Sequence, residues 1–190
     1  MFHTIKVLSL VSLLLLTIPT LSALPAEVIL IRHAEKPADE SNPHLSPRGE
    51  ERARALVTLL TTNPVLTAHG PPVALFASRT TKQGNGSRPS ETLEPLAARL
   101  KLPIHVPYAA KNSAALARAI LQNPAYDRKT VVVCWVHESL PDLAEAFGVK
   151  PKPGPWKKNV YDRAWRVVFE GGEAVLRDFP QTLLPGDAIY

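Results

Sequence analysis

Residues 27–37 read EVILIRHAEKP. The segment from Glu27 to Ile31 is a short, continuous apolar run without polar alternation, the pattern of a strand covered on both faces, as in a parallel sheet. The run passes directly into Arg32 and His33. An arginine and a histidine placed there sit at the carboxyl end of a buried strand, where loops leave a rigid sheet and functional groups collect.

Working outward, the stretch from Val73 (VALFA) and the stretch from Val131 (VVVCWV) repeat the first pattern, so three buried strands are expected. Helical patterns lie between them. One runs from Pro47 to Leu60, with Ser46 as N-cap, Glu50 and Glu51 in the first turn, and Ala53, Leu56, Val57 and Leu60 on one face. Others run from about Pro89 to Leu100 and from Ala114 to Leu121, and a fourth begins near Ser139. Near the end, WRVVFE and EAVLRDF flank Gly171 and Gly172, a hairpin signal. The expected fold is therefore α/β: a three-layer α/β/α sandwich with a mostly parallel central sheet and a C-terminal antiparallel hairpin. The strand VVVCWV ends in His137 and Glu138, so two strands deliver a histidine to the same edge of the sheet. His33 and His137 in matching positions, one beside an arginine, point to a site rather than to two strand caps.

Composition sets the outer limits. The 190 residues carry 22 Lys plus Arg against 17 Asp plus Glu, a net charge of +5, with 45% hydrophobic and 21% charged residues. These proportions fit one globular domain and exclude a disordered or collagen-like chain. The single cysteine, Cys134, excludes an internal disulfide framework, and no Cys and His run has the spacing of a structural zinc site. Nineteen prolines without a repeating period predict many defined loops. Basic residues do not cluster with stacking aromatics, so nucleic acid is not an expected partner.

The first 22 residues are expected to be a signal peptide. Lys6 precedes an uncharged apolar stretch from Val7 to Ile18, too short for a membrane span of about 20 residues. Thr20-Leu21-Ser22 then supplies a small-x-small cleavage pattern, with Ala23 as the new terminus; cleavage after Ala23 or Ala26, and an uncleaved N-terminal anchor or buried first helix, are the alternatives. The mature domain, 23–190, would be exported to the periplasm or the extracellular space, without stable membrane insertion. Loss of Lys6 lowers the net charge from +5 to +4, which suits anionic ligands in general.

Four ordered segments resemble the histidine phosphatase superfamily, the phosphoglycerate-mutase-like fold. ILIRHAEKP is similar to its opening strand and RH signature, and LSPRGEERA, Leu45 to Ala53, to its LTxxGxxQA element. LFAS followed by SRPSET, Ser87 to Thr92, is similar to the RAxET segment, and VVVCWVH to the late strand with the second histidine. The likeness runs from about Glu27 to Phe147, and four elements in the right order are a specific signal. It implies a metal-independent, cofactor-free phosphatase in which His33 takes the phosphoryl group and Arg32, Arg88 and His137 clamp phosphate.

The chemistry agrees with that assignment. Phosphoryl transfer is catalysed mainly by positioning and by cations set around dispersed negative charge. Guanidinium forks match phosphate oxygens geometrically, and a neutral imidazole is a competent nucleophile near neutrality. Two departures from the family pattern stand out. The stretch from Ile104 to Tyr126 holds no Asp or Glu, so the acid used by the mutase-like branch is missing, and Glu138 takes the place of the aspartate that follows the second histidine in the other branch. Glu138 is the expected general acid, with Glu35 the competitor; the plain reading of Glu35 is a solvent-facing or Lys-paired loop carboxylate. Between Ser78 and Arg88 the loop is longer and glycine-rich, which leaves Arg79 as the fallback for Arg88.

The expected substrate is a phosphorylated small molecule or a phosphoprotein. A protein phosphohistidine phosphatase and a catalytically silent phosphate-binding protein are the alternatives. Cys134 and Trp135 read as core residues, His44 and His105 as surface or strand-end residues, and Gly49 as a turn residue at a helix start. Trp156 with Lys157 and Lys158 reads as a loop returning to the hairpin. Substrate identity and oligomeric state are not legible.

Overall fold

The computed structural model describes residues 23–39, 41–79 and 87–188. The leader read at 1–22 and the glycine-rich loop around Gly84 to Gly86 lie outside the described residues. Strands β1 (Glu27–Arg32), β2 (Ala74–Ala77), β3 (Ile104–His105), β4 (Thr130–Trp135), β5 (Arg163–Glu170) and β6 (Glu173–Pro180) form one sheet in the order β3-β2-β4-β1-β5-β6. β3, β2, β4 and β1 run parallel, β5 runs antiparallel to β1, and β6 antiparallel to β5. Helices α1 (Pro47–Thr62), α2 (Arg88–Leu100), α3 (Ser113–Leu121) and α4 (Leu140–Ala146) alternate with the parallel strands.

The unbroken apolar runs follow from coverage of both sheet faces. Along β1, Val28 and Leu30 pack with Leu116 and Ile120 of α3 and Leu143 of α4. Ile29 and Ile31 pack on the other side with Leu56 and Leu60 of α1 and Leu93 and Leu96 of α2. Every residue of β1, β2 and β4 is buried, which is why no period-2 alternation is visible in them. The result is the three-layer sandwich.

Local signals place the ends. Ser46 caps α1 by accepting the Gly49 N–H at 3.1 Å, with Pro47 in the first turn. Gly171 and Gly172 both have positive φ, 61° and 88°, as a tight hairpin joining β5 to β6 requires. β3 has only two residues, too few to show a period in the sequence. The chain after β4 first makes a 3-10 turn over His137–Ser139, so α4 starts at Leu140. Among the described residues no helix is long and apolar enough to cross a membrane.

Candidate active site

Register brings the site together. β1 and β4 are parallel neighbours with Arg32 opposite Trp135, and the His33 N–H continues the ladder by donating to the Trp135 carbonyl at 3.1 Å. The Ser78 N–H donates to the Cys134 carbonyl at 3.2 Å. The chain therefore leaves β1, β2 and β4 at one edge of the sheet, carrying His33, Ser78 and His137.

His33 is 6% exposed. Its Nδ1 lies 2.8 Å from the carbonyl oxygen of Ala34. A carbonyl only accepts, so Nδ1 carries the proton and the lone pair resides on Nε2. Burial is the main cause that pushes the imidazole down to about 4. The Ala34 hydrogen bond opposes that shift, and the positive charges of Arg32, Arg88 and His137 add to it. The ring is thus neutral at neutral pH, with a free nitrogen in a positive field.

The loop holding this ring is pinned from three sides. The Ala34 N–H donates to Thr92 Oγ1 at 2.9 Å, and that hydroxyl donates to the Arg88 carbonyl at 2.7 Å. The Glu35 carbonyl accepts the Ser46 N–H at 2.9 Å and the Ser46 hydroxyl at 3.2 Å. Gly49 lies so close that a Cβ there would come within 2.4 Å of the Glu35 oxygen. Gly49 is therefore needed for a close approach between α1 and the loop that follows His33, a more specific role than a turn residue. Glu91 completes the frame by accepting from the Leu45 N–H at 2.8 Å and meeting His44 Nδ1 at 2.5 Å.

The two arginines contribute charge while holding backbone. Arg32, 3% exposed, donates from Nη1 to the Lys158 carbonyl and, at 3.2 Å, to the Val160 carbonyl; Nη2 donates to the Tyr161 hydroxyl at 3.1 Å. Its guanidinium carbon stands 3.9 Å from the centre of the Tyr161 ring. Arg32 Nε is closed off from solvent and has no hydrogen-bond partner among the described residues. Arg88 donates from Nε to the His44 carbonyl at 3.2 Å and from Nη2 to the Asn42 carbonyl at 2.6 Å. Arg88 is the second arginine whose charge acts on His33, and Arg79 is exposed. The Arg79 backbone N–H donates to the Tyr108 carbonyl at 2.7 Å.

The two carboxylates differ sharply. Glu138 Oε2 lies 3.0 Å from His137 Nδ1, and its side chain is 67% exposed. Burial lowers the His137 pKa, Arg32 adds to that shift, and Glu138 opposes it. Glu35 is largely shielded from solvent and paired with arginines. Both its oxygens accept from Arg52, with Nε at 3.0 Å and Nη2 at 2.8 Å, and Arg48 Nε stands at 3.3 Å. Arg52 is 2% exposed and also donates to both oxygens of Asp187, at 2.7 and 2.9 Å, and to Gln181 at 3.2 Å. Sequence reading missed Arg52, Asp187 and Tyr161 because nothing in the local pattern links positions so far apart. Cys134 is a core residue, and burial pushes its thiol well above the ordinary range.

No family model and no curated protein matches the sequence. Solved structures do. The α-ribazole phosphatase of Shigella flexneri is 16% identical, with 80% of this chain and 94% of that one covered at a TM-score of 0.54. The protein histidine phosphatase SixA, solved with tungstate, is 16% identical, with 82% and 97% covered at 0.56. A mycobacterial glucosyl-3-phosphoglycerate phosphatase, solved with VO3, is 13% identical, with 83% and 100% covered at 0.56. The chain shares the fold of these phosphatases.

Proposed function

We propose that this chain is a phosphomonoester hydrolase that works through a phosphohistidine on His33. The observation that carries the reading is the Nδ1–H of His33 donating to the Ala34 carbonyl at 2.8 Å, which leaves Nε2 unprotonated in a field set by Arg32 and Arg88. Fold neighbours that are themselves phosphatases support it.

In the first half-reaction the Nε2 lone pair attacks phosphorus, and the bond from phosphorus to the leaving oxygen breaks. The departing electron pair takes a proton from Glu138. In the second, water attacks in line, the N–P bond breaks, the electron pair returns to Nε2, and the Glu138 carboxylate receives the water proton. Arg32, Arg88 and His137 face the phosphoryl oxygens, where charge disperses. The chemistry proposed needs no metal or cofactor.

Hydrolysis of p-nitrophenyl phosphate by the purified mature chain, without added metal, tests this reading. Turnover that disappears in His33→Ala supports it; phosphate binding without turnover favours the silent binder. A phosphorylated histidine-containing protein is the second substrate to offer, because SixA, a protein histidine phosphatase, shares the fold. We further propose that residues 1–22 direct export, and an exported protein beginning at Ala23 is the expected product.

A further inference from the structure

The cleft next to His137 has a charge balance that one phosphate group does not account for. It measures about 590 Å³ and is lined by His137, Glu138, Pro155, Trp156, Lys157 and Lys158, among others. Four of its lining side chains, Lys152, Asp142, Glu138 and His137, are already engaged with partners. Lys152 is paired with Asp142 and, at 3.4 Å, with Glu145. Glu138 meets His137 Nδ1 at 3.0 Å. Lys157 and Lys158 are exposed, and no carboxylate among the described residues is paired with either.

The backbone carrying these two lysines is fixed to the floor of the site. Arg32 holds the carbonyls of Lys158 and Val160. The Val160 N–H closes a turn onto the Lys157 carbonyl at 3.0 Å. Trp156, buried and with its ring 4.8 Å from that of Trp165, donates its Nε1–H to the Val160 carbonyl at 2.9 Å. The ammonium groups thus project from a turn anchored to the same arginine that stands beside the nucleophile.

We propose that Lys157 and Lys158 bind a second anionic group on the substrate, so that the preferred substrates are small phosphomonoesters whose leaving group carries a phosphate, phosphonate or carboxylate. The inference rests on the reaction proposed above. In an in-line displacement by His33 the leaving oxygen departs on the side away from Nε2, next to Glu138, and the cleft lined by Glu138 receives the rest of the molecule. Its volume lies within the range of small-molecule sites, about 300–1,000 Å³. A small leaving group therefore fits, with its apolar body against Pro155 and Trp156 and its charge at the lysines.

Phenyl phosphate and 4-(phosphonomethyl)phenyl phosphate share a scissile bond and differ in one anionic group. The wild-type chain is expected to favour the second in kcat/KM, with a ratio of about fivefold or more at low salt that shrinks in 0.5 M NaCl, roughly as solvent-exposed ion pairs do. Lys157→Ala with Lys158→Ala should bring the ratio toward unity, and the double exchange to Glu should invert it. Both exchanges keep the carbonyls that Arg32 uses, and circular dichroism monitors folding. A wild-type ratio of one or less, or a ratio unmoved by the charge reversal, overturns the proposal. The same two compounds titrated calorimetrically into His33→Ala read the cleft without turnover. No hydrolysis by the wild-type chain, with the binding preference intact in His33→Ala, rejects the proposed reaction and retains the second anion site; wild-type turnover without preference does the reverse.

Discussion

A single proton decides what His33 does. The Ala34 carbonyl fixes that proton on Nδ1, and burial keeps the ring neutral down to about pH 4, below the ordinary 6.5. In a titration followed by 15N and 13C NMR, the His33 ring should show the Nδ1–H tautomer at neutral pH and a midpoint near 4; a midpoint between 6 and 7 contradicts the burial argument. The sign for stability follows from the same shift. The unfolded chain takes up this proton first, so the fold loses stability as pH falls from 6.5 toward 4. Glu138 gives a second prediction at this scale. If it protonates the leaving oxygen, Glu138→Gln should lower kcat about 100-fold for an alkyl phosphate and only a few-fold for p-nitrophenyl phosphate, whose leaving group needs little help. Equal losses on both esters would assign Glu138 to holding His137 rather than to proton transfer.

At the scale of elements, the loop that follows His33 is shaped by the helices that meet it. Gly49 is the tightest contact, since a methyl group there would stand 2.4 Å from the Glu35 oxygen. Gly49→Ala forces α1 and the loop apart. The expected cost is about 1–3 kcal/mol in chemical denaturation, with a fall in kcat because the Ala34 carbonyl moves with its neighbour. An unchanged Cm with full activity would show that the loop yields freely. The strands, helices and the RH, PRGE and SRPSET segments were legible because each writes its rule locally: apolar runs, Ser46 before Pro47, paired glycines at 171 and 172. What those segments do to one another was not. That Thr92 holds the Ala34 amide, or that Gly49 makes room for Glu35, depends on packing between α1, α2 and β1, which no single segment encodes.

Over the whole molecule, the last residues reach back to the first strand. Asp187, with its side chain 3% exposed, accepts from Arg52 and from the backbone N–H groups of Leu183 and Leu184, at 2.8 and 3.0 Å. Arg52 in turn holds Glu35, two residues from His33. Although desolvation opposes it, hydrogen bonding to Arg52 and to the two backbone groups pulls the Asp187 carboxyl down to about 2 from 3.8. Its contribution is therefore present above about pH 4 and lost as pH falls toward 2. Asp187→Asn should destabilise the chain by about 3 kcal/mol at pH 7, as expected for a buried ion pair stripped of one partner, and the gap to wild type should narrow in acid. A difference that stays constant from pH 6 to pH 2 would rule out the ion pair as its source. Glu35 reads as a solvent-facing or Lys-paired loop carboxylate in the sequence because Asp187, the other carboxylate held by its partner Arg52, lies 152 residues further along the chain.

The whole account turns on covalent transfer to one nitrogen. Rapid quenching of the mature chain during turnover, followed by peptide mass spectrometry under alkaline conditions that preserve phosphoramidates, tests it most directly. The account predicts a phosphoryl group on the peptide containing His33, labile to acid and absent from His33→Ala. Sustained hydrolysis by His33→Ala, or turnover with a phosphoryl group trapped on another residue, would contradict it.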